Sequence, residues 1–471
     1  MSKNKNQLHK LKKSLGLFDL FCISSGAMIS SGLFILPGLA FAKTGPSIII
    51  SYLIASIAII PIILSKAELA TAMPKSGGNY FFIDRSMGPL MGMLGGLADW
   101  ASLSLKSAFS LLGVGTFLLL IHSGITLISL ELIAIALCVI FALINIVGVN
   151  LTRKFQVVLV TILIGLLVLY VIAGFFFIQP DHFTPFAPLG LGSIFATAGF
   201  VFISYAGLTK IVGVAEEVKN PGRNIPLALF LSWGVISLLY VLVLLVTVGL
   251  VDPVQLKDSL IPISLGANVF SGWGGGILLG IAALIAFATT ANAALLTASR
   301  TPMAMSKDEL LPGFLKKISK RGTPTLSIIF TSSFIIFIIL FLTLENLVKA
   351  ASTMILLLFI FISLSVIIMR ESKMKYYQPK FRSPLYPWVQ IFGIVAYGFL
   401  IFKIGVVPFF LAGVFMACGV AWYFIYAHRR IKREYALLHA IDRAVGIEPT
   451  NHLINEELRE IIAERDDVAE K

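Results

Sequence analysis

An all-α integral membrane fold of about twelve transmembrane helices is what the sequence predicts, and three observations predict it. The 471 residues are 58% hydrophobic and 13% charged, with a mean hydropathy of +0.94, a balance that leaves a water-soluble domain too little polar surface. Apolar runs such as Ile48 to Leu64, Leu127 to Val147, Val157 to Ile178 and Pro226 to Leu250 suit helices, which rise about 1.5 Å per residue and need about 20 residues to cross a hydrocarbon layer roughly 30 Å thick. They are apolar on consecutive residues, without the alternation of a membrane barrel. The third observation is where the cations fall. Lys and Arg gather at Lys3 to Lys13, at Arg153 and Lys154, from Lys307 to Arg321, from Arg370 to Arg382 and from Arg429 to Arg433, whereas the alternate loops hold Lys43, Lys257 and Lys403. That asymmetry places both termini in the cytoplasm and calls for an even number of spans. It also accounts for the net charge of +13 without nucleic acid as a partner.

In chain order, residues 1–16 read as a cytoplasmic amino-terminal tail, polar and basic and followed by no small-residue cleavage site, which argues against a removable signal peptide. Residues 17–427 form the membrane domain, with spans expected near 17–41, 46–70, 90–120, 127–148, 155–178, 191–217, 225–251, 270–300, 325–343, 347–370, 385–403 and 405–427. Residues 428–471 read as a charged, helix-prone cytoplasmic tail whose Leu437, Leu438, Ile441 and Val445, and later Leu453, Ile454, Leu458, Ile461 and Ile462, form apolar stripes suited to packing on the bundle or the lipid interface. Cys22, Cys138 and Cys418 fall inside spans and are expected to be buried packing residues.

Two spans are interrupted by small and polar residues at mid-depth: the first at Ser24 through Phe34 (SSGAMISSGLF), the sixth at Phe202 through Lys210 (FISYAGLTK). Such helices unwind readily, and unwound backbone at membrane depth is tolerated only where it lines a protein cavity, where half-helix ends hold charged groups. The other reading of the first span is close helix packing through Ala27 and Ser31 or Met28 and Gly32. The interrupted spans begin two stretches of five helices each, which suits an inverted repeat.

Gly26 to Phe34 resembles the first-helix signature of the amino acid/polyamine/organocation permeases, G-x-x-x-G-[ST]-G-[IV]-F, with Ser30 at the middle glycine. Further similar stretches follow in that family's order: Glu68 and Leu69 through Pro74 to Tyr80, Asn145 to Val149, Ala215 to Pro226 with its glutamate pair and asparagine-proline loop, and Arg300 through Pro312 to Gly322, Thr323 and Pro324. The resemblance covers roughly residues 14–430. It implies the leucine-transporter type fold, a five-plus-five inverted repeat with broken helices 1 and 6 and two peripheral helices. It also implies secondary active transport of amino acids across the cell membrane by alternating access, through proton symport or exchange (antiport). Carried over from that family, the backbone N–H groups of Ser31 and Gly32 would meet the substrate carboxylate, and the carbonyls of Met28, Ile203 and Ala206 its ammonium. Sodium-coupled transport of an amine or other small solute, and a non-transporting membrane sensor of the same fold, stay open.

Lys106 is the most informative single residue. A lysine in mid-span is costly in lipid and is expected to face a cavity or a partner, and alignment of Leu112 to Gly115 with a family antiporter places it among the substrate-facing side chains. It either couples a proton to transport, because desolvation disfavours a charged lysine, or pairs with a substrate carboxylate or with Asp99, or serves structure alone. Where some proton-coupled relatives carry a lysine on helix 5, this chain has Thr161, and with Thr289 and Thr290 on helix 8 it suggests a sodium site of hydroxyl oxygens. Lys210 reads as a cytoplasm-side gate charge or a snorkelling lysine. Phe202, Tyr205 and Phe109 are candidates for the pocket wall, with plain packing as the other reading. Ile203 and Ala294 fall where that antiporter has bulky aromatics, which shapes the pocket differently from one for long cationic side chains. No metal-ligand spacing, phosphate loop or nucleophile-base pattern is present, so neither a cofactor, a metal nor an enzyme is expected.

Overall fold

The computed structural model describes residues 13–75, 78–117, 127–148, 153–319, 322–430, 435–445 and 453–466. The first apolar run is three pieces, Leu17–Met28 (α1), Ser31–Phe34 (α2) and Leu36–Thr44 (α3), where the sequence suggested one interrupted helix. The second bends at Ile59 between Ile48–Ala58 (α4) and Ile60–Ala72 (α5), with Pro61 in the first turn of α5, where its missing N–H costs no hydrogen bond. Gly78–Met87 (α6) is a further helix inside what reads as a loop, and Pro89–Phe117 (α7), Leu127–Val147 (α8) and Arg153–Phe175 (α9) follow.

The sixth span is also divided. Gly190–Phe200 (α10) gives way to a 3-10 segment, Val201–Leu208, and then to the short Thr209–Gly213 (α11). Beyond it lie Pro221–Leu250 (α12), capped by Pro253–Asp258 (α13), and the long Pro262–Lys307 (α14), which kinks at Gly272, whose φ of 63° suits glycine. Thr325–Phe341 (α15), Leu344–Glu371 (α16), Trp388–Ile404 (α17) and Val406–Trp422 (α18) complete the bundle, and Ala436–Val445 (α19) and Leu453–Asp466 (α20) form the tail. Among the described residues eight helical runs are long and apolar enough to cross a membrane, with α1, α15 and α17 as shorter apolar helices.

Among the described residues α7 runs through the middle, packed by α14, α16, α6 and α8. Trp100 on α7 stacks on Phe334 of α15 at 4.4 Å between ring centroids, and its indole N–H donates to Thr331. The outer faces of α8, α9, α17 and α18 expose Leu143, Leu169, Phe402 and Phe410, an apolar surface that lipid tails suit and water does not. Cys418 on α18 is also exposed on this face, contrary to the packing role expected, because α18 is peripheral; Cys22 and Cys138 are buried.

At one end of the bundle Glu68 of α5 is enclosed in a polar knot. Arg370 of α16 grips its carboxylate with two hydrogen bonds, of 2.7 and 2.6 Å, the Tyr377 hydroxyl donates to it at 3.0 Å and the Ser383 N–H at 2.8 Å. The tail docks beside this knot, and its apolar stripe meets the bundle through buried Ile454, Leu458 and Ile461. Arg465 of α20 donates to the carbonyls of Thr71 and Gln378, and Arg85 of α6 holds Glu457 of α20 in two hydrogen bonds, of 2.8 and 2.9 Å. The residues just before α1 are equally tied, because Ser14 and Leu15 donate to the Glu217 carbonyl and Leu15 accepts from Lys219. Residues 1–12 of the expected amino-terminal tail lie outside the described residues.

Candidate functional site

The two breaks touch. A Cβ on Gly207 would lie 2.4 Å from the Met28 nitrogen, and one on Gly32 would lie 2.6 Å from the Ser204 hydroxyl, so only glycine allows this approach. A helix that stops in mid-membrane leaves its last carbonyls without intrahelical partners, and here side chains from other helices take them. Lys106 Nζ of α7 donates to the Ala27 carbonyl at 2.7 Å. The Tyr240 hydroxyl of α12 donates to the Met28 carbonyl at 2.7 Å, an acceptor that also receives the Ser30 N–H at 2.8 Å. The Gly32 carbonyl receives Tyr52 of α4 at 2.8 Å and Ser204 at 3.1 Å. On the other break, Ser352 of α16 donates to Phe200 at 2.9 Å and accepts from the Ile203 N–H at 3.2 Å.

Ser31 and Gly32 open α2, in the first turn, where N–H groups have no intrahelical acceptor; the Ser31 side chain lies outside what is described. Met28, Phe202, Ile203, Tyr205 and Ala206 are all buried, as is Lys106 at 3% exposure, so the region is closed to solvent. The Met28 carbonyl, expected to receive a substrate ammonium, is occupied by Tyr240 in this arrangement. Tyr205 packs edge-on against Tyr240 and donates to the Tyr52 carbonyl at 3.0 Å. Phe202 packs against Phe359 of α16 and Tyr397 of α17. Lys106 hydrogen-bonds to Ala27, while Asp99, offered as its partner, accepts instead from Asn79 at 2.9 Å.

Two of the three threonines make hydrogen bonds within their own helices. Thr161 donates to Val157 and Thr289 to Ile285 and Ala286, each within its own helix, while Thr290 is buried on α14. Thr161 also lies beside Cys22 of α1. At the far end of the first span, Lys43 of α3 forms an ion pair with Glu345 of α16, which Lys349 also meets at 2.7 Å, and Lys43 stands over the Phe200 ring at 5.3 Å. Among the described residues no group of His, Cys, Asp and Glu could hold a metal ion. Tyr52 and Tyr240 went unread in the sequence, since a tyrosine inside an apolar run carries no signal until an unwound carbonyl faces it.

Residues 15–427 match the family model described as amino acid permease. The chain belongs to the amino acid permease family. This permease is 29% identical to the branched-chain amino acid permease BcaP of Bacillus subtilis (strain 168) over 90% of its own length and 94% of that protein. It is 28% identical to the methylthioribose transporter of the same organism over 91% and 95% of the two chains, and 27% identical to cationic amino acid transporter 1 of Arabidopsis thaliana over 77% and 63%. The permease is a multi-pass membrane protein, and its family makes it a transporter rather than an enzyme.

Proposed function

We propose that the permease moves amino acids across the cell membrane by alternating access in a five-plus-five inverted-repeat bundle of twelve helices with both termini in the cytoplasm, driven by proton symport or by exchange. The observation that carries the proposal is the meeting of the two unwound segments, with the Lys106 ammonium on the Ala27 carbonyl at 2.7 Å. The first turn of α2, at Ser31 and Gly32, offers N–H groups to a carboxylate, and the carbonyls of Met28, Ile203 and Ala206 offer acceptors to an ammonium once Tyr240 releases Met28. Lys106 occupies a carbonyl of this same stretch, so its protonation and the arrival of a substrate ammonium are coupled through one short segment of backbone.

A neutral side chain suits the site better than a cationic one. Lys106 is buried against the first break and Lys210 lies on α11, directly after the second, and a further positive charge brought beside such ammonium groups is repelled. The branched-chain substrate in the name of the Bacillus relative agrees with that charge balance.

Uptake of a panel of radiolabelled amino acids into proteoliposomes under imposed proton or sodium gradients, comparing wild type with Lys106→Ala, tests the proposal. Proton-driven accumulation that is lost in the variant while exchange survives is the expected result. Sodium-driven uptake indifferent to Lys106 would transfer the coupling role to Thr161, Thr289 and Thr290, and a folded wild type that takes up no amino acid would overturn the substrate class.

A further inference from the structure

Helix α5 carries a charge that the site at the two breaks does not use. Lys66 is 1% exposed, and its Nζ has no hydrogen-bond partner. It stands over the Phe359 ring of α16 at 4.7 Å from the centroid. The charge that faces it is the Asp99 carboxylate of α7, itself buried and held through Oδ1 by the Asn79 amide of α6 at 2.9 Å. An ammonium buried without an acceptor is strongly disfavoured, and an aromatic face compensates only in part. A structural ion pair would join the two groups; here they face each other unjoined.

Their placement gives this a use. Helix α5 packs on α12, α16 and α17, whereas α7 packs on α14, α16, α6 and α8; the two groups of helices share α16 and also touch where α12 meets α14. Phe359, the ring beneath Lys66, is also the ring against which Phe202 of the unwound sixth span packs at 5.8 Å. Asp99 lies two helical turns before Lys106 on the same helix. The pair therefore bridges two packing groups and adjoins both the broken span and the lysine that touches Ala27. The Phe359 ring against Lys66 and the Asn79 amide on Asp99 do not titrate, and Glu68 on the helix of Lys66 is engaged by Arg370.

We propose that Lys66 and Asp99 form a second proton site of the permease, separate from Lys106, that takes up and releases a proton as the two helix groups move. The proposal rests on the transport reading above. As ammonium and carboxylate the pair is neutral, and transfer of one proton from Nζ to the carboxylate leaves amine and carboxylic acid, again neutral. One further proton raises the pair to ammonium plus carboxylic acid with a single positive charge, and its loss restores the neutral pair.

Infrared difference spectra of the reconstituted full chain stepped between acidic and alkaline buffer read this site without any substrate. The wild type is expected to show the carbonyl stretch of a protonated buried acid that Asp99→Asn abolishes, and Lys66→Met should move its titration midpoint by about one pH unit or more. Identical spectra for wild type and Asp99→Asn, or a midpoint indifferent to Lys66→Met, would overturn the proposal. The double variant Lys66→Met with Asp99→Asn removes both charges together, so no unpaired buried ion hinders its folding. In proteoliposomes it should lose about tenfold or more of pH-driven leucine accumulation, and undiminished accumulation there also counts against the site. A wild type that titrates Asp99 yet transports no amino acid refutes the proposed function and leaves the proton site standing.

Discussion

Lys106 Nζ lies 2.7 Å from the Ala27 carbonyl, so a lysine from α7 completes the last turn of α1 where the backbone leaves its helical path. Replacing it with methionine keeps the aliphatic bulk and removes the donor, leaving a buried carbonyl unsatisfied at a cost of about 1–3 kcal/mol. Lys106→Met should therefore lower the melting temperature modestly and abolish gradient-driven uptake. A variant that melts lower yet accumulates substrate as wild type does would make Lys106 a structural residue.

The contact between Gly207 and Met28 admits no side chain. Gly207→Ala should cost about 1–3 kcal/mol through overpacking and, because it pushes the two breaks apart, should weaken substrate binding more than it weakens the fold. Binding isotherms beside thermal melts check this, and equal losses in Gly207→Ala and in a distant α17 control such as Gly398→Ala, where a Cβ meets open space, would refute it.

Glu68 is a buried carboxylate with both oxygens in use, paired with a half-buried Arg370. Removing one partner strands the other, so Arg370→Ala should destabilise by about 3–5 kcal/mol, read as a fall in melting temperature and in folded yield.

Tyr377, in the loop that closes this knot, has its phenol pushed up by burial and by the Glu68 carboxylate it donates to. A folded value above the unfolded value means that the stability from this hydroxyl is fully present below about pH 10 and is lost as pH rises towards the folded value. The alkaline decline in melting temperature should be shallower in Tyr377→Phe, and identical alkaline profiles would sink the assignment.

Lys43 and Glu345 tie α3 to α16 at the end of the bundle away from the Glu68 knot. Glu345→Gln should raise the accessibility of a cysteine introduced at Ser193, whose hydroxyl meets Thr44 beside the pair, to a membrane-impermeant thiol reagent. Unchanged labelling would show that the pair does not hold that side closed.

The sequence by itself determined the membrane class, the two places where helices break and the need of Lys106 for a partner. These follow from local chemistry: a long apolar run needs lipid, small and polar residues at mid-depth weaken a helix, and a charge in hydrocarbon requires a partner. Tertiary structure decided which partner. Asp99, two turns from Lys106 on one helix, accepts instead from Asn79 of α6, because a side chain on an adjacent helix can reach a buried charge that a group two turns along the same helix does not meet. Lys66 could have been noticed by the rule that singled out Lys106, but it sits near the end of its span, two residues before Glu68, where a cation reads as interfacial. Tyr52 and Tyr240 had no sequence signal at all, since a hydroxyl acquires its role only when folding brings an unwound carbonyl within hydrogen-bond reach.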